Sequence, residues 1–328
     1  MRALRVTELG KPYEVLELAR TEVPEPGADQ VAVRVTASPV NFPDVLMCQG
    51  KYQVKPDPPF TPGVELCGEV VATGSEVTGL ANGDRVIGAG AVPDGGFAEY
   101  ALMEAGRTFH APEALADAEA ASLFIGYQTG WFGLHRRAGL RSGETLLVHA
   151  ASGGVGSAAI QLGRAAGATV IGVAGGREKA EVARELGAHV VVDRHTEDFV
   201  RVVKETTGGK GADVVYDPVG GDTYSRSTKC VAFEGRILVI GFASGDIPTP
   251  ALNHALIKNY SIVGLHWGLY NERDPRAVRE AHEDLARMAT AGEIDPLVSE
   301  RVGLEELPAA AQRVADGHTV GRVVYTST

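Results

Sequence analysis

The chain has 328 residues, a formal net charge of −11 and a pI of about 5.3. That length exceeds what a single core serves well, so two domains are expected. An acidic surface argues against nucleic acid and anionic membranes as main partners, because both need a basic face.

Cys48, Cys67 and Cys230 are the three cysteines, and none forms a CxxC pair. Sparse, unpaired thiols fit a reducing compartment without a disulfide framework. The run from Met1 to Val6 is strand-like, with no basic n-region and apolar h-region after it. No signal peptide and no membrane-spanning run is expected, and the cytoplasm is the expected location.

Residues 1–122 read as mostly β. Val31–Val35 alternates as a half-buried strand, and 68–72 and 84–87 are short β-branched runs bounded by Gly, Asn and Pro. Several short strands with turn signals suggest a small barrel. From about Leu123 the rhythm changes. Strands are expected at 144–150, 169–174, 190–193, 213–216 and 236–241, with helices between them, including one at 178–186. Strands alternating with helices predict a doubly wound parallel sheet. Farther on, Asp274-Pro275 reads as a helix start, and Val278, Ala281, Leu285 and Met288 mark one face of that helix. Gly292 is its expected stop, and 321–326 is a strand expected to return to the first domain.

The strand at 144–150 runs into Ala150-Ala151-Ser152-Gly153-Gly154-Val155-Gly156, an A-x-x-G-x-x-G turn that opens a helix. Small residues there let the backbone approach a pyrophosphate, and the first helical turn offers N–H groups and a positive dipole end. The end of the next strand, where an acid would hold a ribose 2′-hydroxyl, carries Ala174-Gly175-Gly176 instead. Arg177 and Lys179 follow, and Arg194 follows the third strand. These cations either pair with the 2′-phosphate of NADP(H) or form a solvated helix start. Cations at a helix N-terminus oppose the dipole, so the missing acid and the cations together predict NADP(H).

Pro62-Gly63-Val64-Glu65 with Gly68-Glu69-Val70, then Gly83-Asp84-Arg85-Val86, then Gly95-Gly96-Phe97-Ala98-Glu99-Tyr100 resembles the catalytic domain of the medium-chain dehydrogenase/reductase superfamily. Asp217-Pro218-Val219-Gly220-Gly221 and 239–245 resemble its zinc-independent quinone oxidoreductase branch, the zeta-crystallin-like proteins. The resemblance covers nearly the whole chain. It implies an α/β fold in which a GroES-like β-barrel catalytic domain, 1–122 completed by 266–328, is interrupted by a Rossmann NADP(H)-binding domain at 123–265. It implies an active site between the two, and a homodimer formed through the Rossmann sheet edge, Ser261–Leu265.

Zinc-dependent members ligate metal through an early Cys, a Gly-His-Glu and a later Cys. Here Asn41 stands near the first position and Gly63-Val64-Glu65 where the His would fall, and no cysteine lies between Glu76 and Glu119 to build a structural zinc site. No metal is expected. Cys48 and Cys67 read as small core residues.

Without a metal, the negative charge left on oxygen by hydride transfer needs a donor or a proton. Asn41-Phe42-Pro43-Asp44 to Gln49-Gly50-Lys51-Tyr52 resembles the family's active-site stretch. By that resemblance Asn41 lies near the nicotinamide and Tyr52 is a proton donor or carbonyl hydrogen-bonder. Their other readings are a turn residue before Pro43 and an aromatic lid. Asp44 reads as a helix-start acid. By the same resemblance Thr129 touches the nicotinamide side, and Gly241, Phe242 and Ser244 form the loop beside its ribose. Tyr127 and Trp267 shape a pocket or pack the core. The resemblance implies reduction of a quinone or other conjugated carbonyl. Two rivals are a 2-enoyl thioester reductase and a low-turnover NADPH-binding protein.

Overall fold

The computed structural model describes residues 1–327; Thr328, the last residue expected to complete the β part, lies outside the described residues. One compact unit comprises 1–125, 282–292 and 296 onward, and a second comprises 126–281 with 293–295.

The first unit opens with β1 (Arg2–Val6), α1 (Pro12–Val15), β2 (Leu16–Arg20), β3 (Gln30–Pro39), α2 (Phe42–Cys48), β4 (Glu65–Thr73), β5 (Arg85–Gly90) and β6 (Tyr100–His110). The predicted alternation holds only in part in β3: Val33 and Val35 are buried around an exposed Arg34, but Ala32 is buried along with Val31. Each of β3, β4, β5 and β6 pairs antiparallel with the next, and β6 pairs back onto β3. The four strands therefore close on themselves, which removes their free edges. Inside lie Leu66, Phe97, Met103, Val33 and Val86.

The helix α3 (Asp117–Trp131) ends in a π-helical turn at Phe132–Arg137, where Ala138 N–H reaches back five residues to Gly133 O. There follow β7 (Thr145–His149), α4 (Gly154–Ala165), β8 (Thr169–Ala174), α5 (Arg177–Glu185), β9 (Val190–Asp193), α6 (Phe199–Thr206) and β10 (Ala212–Asp217). After these come α7 (Gly221–Ser227), β11 (Val231–Val239), α8 (Leu252–Lys258) and β12 (Ser261–Gly264). All six strands are parallel, in the order β9-β8-β7-β10-β11-β12. That is the doubly wound Rossmann order, whose reversal between β7 and β10 opens a crevice at the strands' carboxyl ends. The strand β12 is the edge, as expected for Ser261–Leu265.

The short helix α9 (Tyr270–Arg273) and α10 (Pro275–Thr290) come next. Asp274 caps α10 through its side chain on Ala277 N–H, and Gly292 follows the helix at φ +69°. Then β13 (Val298–Val302), α11 (Leu307–Ala315) and β14 (Arg322–Thr326) return to the first unit, where β14 pairs antiparallel with β3.

Candidate functional site

The Gly-rich turn sits at the carboxyl end of β7, on the reversal of strand order. Ala150 occupies the left-handed region at φ +49°, and Ala151 N–H is tied to Val173 O of β8. A Cβ on Gly156 would lie 2.1 Å from Ala150 O, so only glycine lets α4 pack against that carbonyl. Ser152 and Gly153 lead into α4, and the N–H groups of its first turn, at Gly154, Val155 and Gly156, have no partner four residues back. They present donors and the positive dipole end at the crevice, the geometry of a pyrophosphate cradle.

At the end of β8, an acid that sequence reasoning missed comes from the neighbouring strand. Asp193, paired with Ala174, accepts Gly176 N–H at 2.9 Å and His195 N–H at 3.0 Å. These bonds hold its carboxyl below the usual range and commit it to shaping the Gly175-Gly176 turn. The three expected cations do not act alike. Arg194 lies over the turn, its Nε 2.8 Å from where a Gly175 Cβ would stand. Burial first, and Arg194 second, push the Lys179 ammonium below its usual pKa. Arg177 is paired with Glu181 at 2.9 Å and its side chain is 91% exposed. Lys179 thus feels the Arg194 charge, which favours an anion near the two, whereas the Arg177 pair with Glu181 lies on the exposed face of α5.

On the other side of the strand reversal, the loops after β10 and β11 are zipped together. Ala243 N–H donates to Pro218 O and Ser244 N–H to Val219 O, each at 3.0 Å. Asp217, buried and with its pKa raised by that burial, accepts the N–H groups of Val219 and Gly220. Gly241 and Phe242 are held in this structure, with the Phe242 ring 2.8 Å from where a Gly220 Cβ would stand. Thr129 lies on α3 beside Gly130, where α3 packs against Leu162 of α4. Tyr127 and Trp267 are buried and bonded to Gln161 and Gln128, which makes them core aromatics.

In the first unit, Asn41 is the N-cap position of α2 and is 4% exposed. Its backbone N–H donates to Asp44 Oδ2 at 2.8 Å, and its backbone carbonyl accepts Asp44 N–H at 3.1 Å. Its side-chain Nδ2 donates to Pro39 O at 3.2 Å and Glu65 Oε1 at 3.0 Å. Its Oδ1 accepts from Arg322 Nη1 at 2.7 Å. Both amide hydrogens are spent, and what remains is acceptor capacity on Oδ1. Asp44 is structural, as expected: Oδ1 also takes the N–H groups of Gly63 and Val64, and burial raises its pKa to about 7. Tyr52 is half-buried against the core, and burial raises its phenol, which therefore stays protonated at neutral pH.

Glu65 and Arg322 were not singled out in the sequence. The available signal was the carboxylates of Glu65 and Glu69 inside the otherwise apolar run 64–72, of which Glu65 is buried and Glu69 pairs with Arg34 at the surface. All three cysteines are buried, and burial pushes the Cys48 and Cys67 thiols up to about 12 and Cys230 to about 11. Among the described residues, no group of three or more His, Cys, Asp or Glu is placed to hold a metal, and no helix is long and apolar enough to cross a membrane.

Residues 27–113 match the family described as alcohol dehydrogenase GroES-like domain, and 154–286 the family described as zinc-binding dehydrogenase. The chain is 41% identical, over 99% of its length and 89% of the relative, to quinone oxidoreductase-like protein 2 homolog of Nematostella vectensis. It superposes on the Escherichia coli quinone oxidoreductase solved with NADPH with a TM-score of 0.93, at 29% identity and over 100% of both chains. It is also 32% identical, over 95% of its length, to 15% of a mycocerosic acid synthase-like polyketide synthase of Mycobacterium tuberculosis. With a GroES-like unit, a Rossmann unit and these relatives, the chain belongs to the quinone oxidoreductase-like branch of the medium-chain dehydrogenase/reductase superfamily and is an oxidoreductase.

Proposed function

We propose that the protein reduces a quinone or other conjugated carbonyl with NADPH and without a metal. The observation that carries this is the nucleotide turn. The first-turn amides of α4 face the pyrophosphate place, Arg194 lies over Gly175 where the 2′-phosphate would be held, and Lys179 on α5 feels the Arg194 charge. Two cations there, with the nearby carboxylate already engaged by two backbone amides, favour NADP(H) over NAD(H). The E. coli neighbour solved with NADPH supports the same assignment.

Bound NADPH supplies the hydride; the chain supplies binding, orientation and a proton. Gly241, Phe242, Ser244 and Thr129 are assigned to the nicotinamide half, on loops and a helix held rigid by the bonds described above. Asn41 is assigned there as a hydrogen-bond acceptor, suited to a carboxamide N–H, since its own N–H groups are engaged. Tyr52, protonated, is assigned as the donor to the acceptor's oxygen. At Asn41 and Val64 the chain offers no ligands of the kind zinc prefers. Glu65 is already held by the Arg322 guanidinium, which repels a second cation. A reducing cytoplasm suits the three buried thiols.

A homodimer is supported by the free edge of β12 and by exposed apolar side chains on and before α8: Ile247, Leu252, Leu256 and Ile257 are each at least 69% exposed. Sedimentation equilibrium tests it.

The polyketide synthase relative keeps an enoyl thioester reductase as a second reading. A turnover panel of 9,10-phenanthrenequinone, 1,4-benzoquinone, a 2-alkenal and crotonyl-CoA, each with NADPH and NADH, decides between them. Turnover of quinones with NADPH and none of crotonyl-CoA supports the main reading. The reverse supports the second, and no turnover of any acceptor supports a binding protein.

A further inference from the structure

Three side chains from three elements meet inside the first unit: Asn41 at the start of α2, Glu65 at the start of β4 and Arg322 at the start of β14. Each touches the other two. Arg322 Nη1 donates to Asn41 Oδ1, Arg322 Nη2 donates to Glu65 Oε1, and Asn41 Nδ2 donates to the same Glu65 oxygen. The second oxygen of Glu65 takes Ile125 N–H at 2.6 Å. The side chains of Glu65 and Arg322 are 0% and 7% exposed.

This ring fixes something that a lone buried Asn leaves open. An amide turned over would aim its NH2 at the guanidinium and its oxygen at the carboxylate, so only one orientation fits. The arrangement is also an expensive way to fill a core. A buried ion pair gains little stability over apolar residues of the same size, because both charges lose their water. The pair therefore calls for an explanation beyond packing.

We propose that Arg322, with Glu65, is a positioning residue that holds the Asn41 amide in one orientation, with Oδ1 keeping acceptor capacity and the N–H groups engaged by Pro39 and Glu65. This rests on the assignment of Asn41 to the nicotinamide. The fork geometry of arginine is what the task requires: one planar group bonds a carboxylate and an amide oxygen together, which the single ammonium of lysine does not reproduce.

The test is a double-mutant cycle in the full-length protein, with melting temperature recorded beside kcat and KM. Asn41→Ala is expected to lower kcat by about tenfold or more through a misplaced nicotinamide. Arg322→Lys, which keeps the charge, is expected to lower kcat by a similar factor alone. In the Asn41→Ala background it is expected to have no further effect, within about twofold, because the partner it acts through is gone. Should Arg322→Lys not fold, Arg322→Met with Glu65→Gln removes both charges together and is expected to show the same kcat loss and the same lack of additivity. A purely structural Arg322 would lower the melting temperature and leave the coupling at zero. Losses that multiply, or an Arg322→Lys kcat equal to wild type, overturn the positioning role while leaving the Asn41 assignment intact. An Asn41→Ala variant with unchanged kcat overturns the assignment itself.

Discussion

Cofactor preference is the sharpest consequence of the geometry at the end of β8. The perturbation is the pair Lys179→Ala and Arg194→Ala, compared with Arg177→Ala. A charge-assisted contact to a phosphate is worth about 1.5–3 kcal/mol, so each of the two cations should shift NADPH KM by roughly 10- to 150-fold. Lys179 also feels repulsion from Arg194, which with burial, the larger cause, holds its pKa down. Removing either one relieves that repulsion, so the two losses should not simply multiply. A double variant about two orders of magnitude weaker for NADPH, with NADH KM equal or slightly better, is the expected result. Arg177 is a different case, 91% exposed and already paired with Glu181. Its loss should change either KM by less than about twofold, as for other exposed pairs. Steady-state kinetics with both cofactors reads this directly, since kcat at saturation should move little. The reasoning fails if Arg177→Ala shifts the NADPH/NADH ratio of kcat/KM more than Arg194→Ala does, or if the double variant leaves that ratio where it was.

Four further outcomes are expected. Gly156→Ala places a Cβ 2.1 Å from Ala150 O, so α4 must move by about 1 Å to restore contact distance, and both NADPH and NADH KM should rise about tenfold or more; unchanged values would mean that the α4 amides do not hold the pyrophosphate. Asp44→Asn turns an NH2 toward Asn41 N–H and should cost about 1–3 kcal/mol by urea denaturation at pH 5. Because burial, and to a lesser degree Glu65, raise the folded pKa of Asp44 to about 7, the wild type loses stability on this group as pH rises from the unfolded value to about 7. The deficit of the Asn variant should therefore shrink over that window, and a deficit that grows with pH refutes the assignment. Tyr52→Phe should lower kcat on enones more than on quinones, which need less help with protonation; equal kcat on every acceptor makes Tyr52 a packing residue. Chelators should leave activity and melting temperature unchanged, and stoichiometric zinc whose removal abolishes activity would end the metal-free reading.

The Rossmann unit was the more legible part of the sequence because each of its signals is local. Glycines at fixed offsets, a strand before and a helix after are all contained within Thr145–Ala165. The cations were legible as a set but not individually. Whether Arg177 or Arg194 reaches the turn depends on how β9 pairs with β8, a long-range fact that spacing does not carry. The same holds for Asp193, which looked like an ordinary strand end until Ala174 was found opposite it. In the first unit, Asn41 was found by resemblance, but what its amide does was hidden. Its partners lie 24 and 281 residues away. A charge inside an apolar run, as at Glu65, announces that a partner must exist without saying where it is.

The pairing of β14 with β3 has a consequence for the order in which the chain can fold. Val324 lies opposite Pro39, and Arg322 opposes Glu65. Every strand of the parallel sheet has left the ribosome before the segment that finishes the first unit is made. Until then the Glu65 carboxylate has no guanidinium, and the 37–39 end of β3 lacks its β14 partner. The first unit must wait in a loosened form, with a charge too costly to bury, while the second becomes complete. Release of a nascent chain truncated before Arg322 should then give a protease-resistant nucleotide-binding unit and a protease-sensitive remainder.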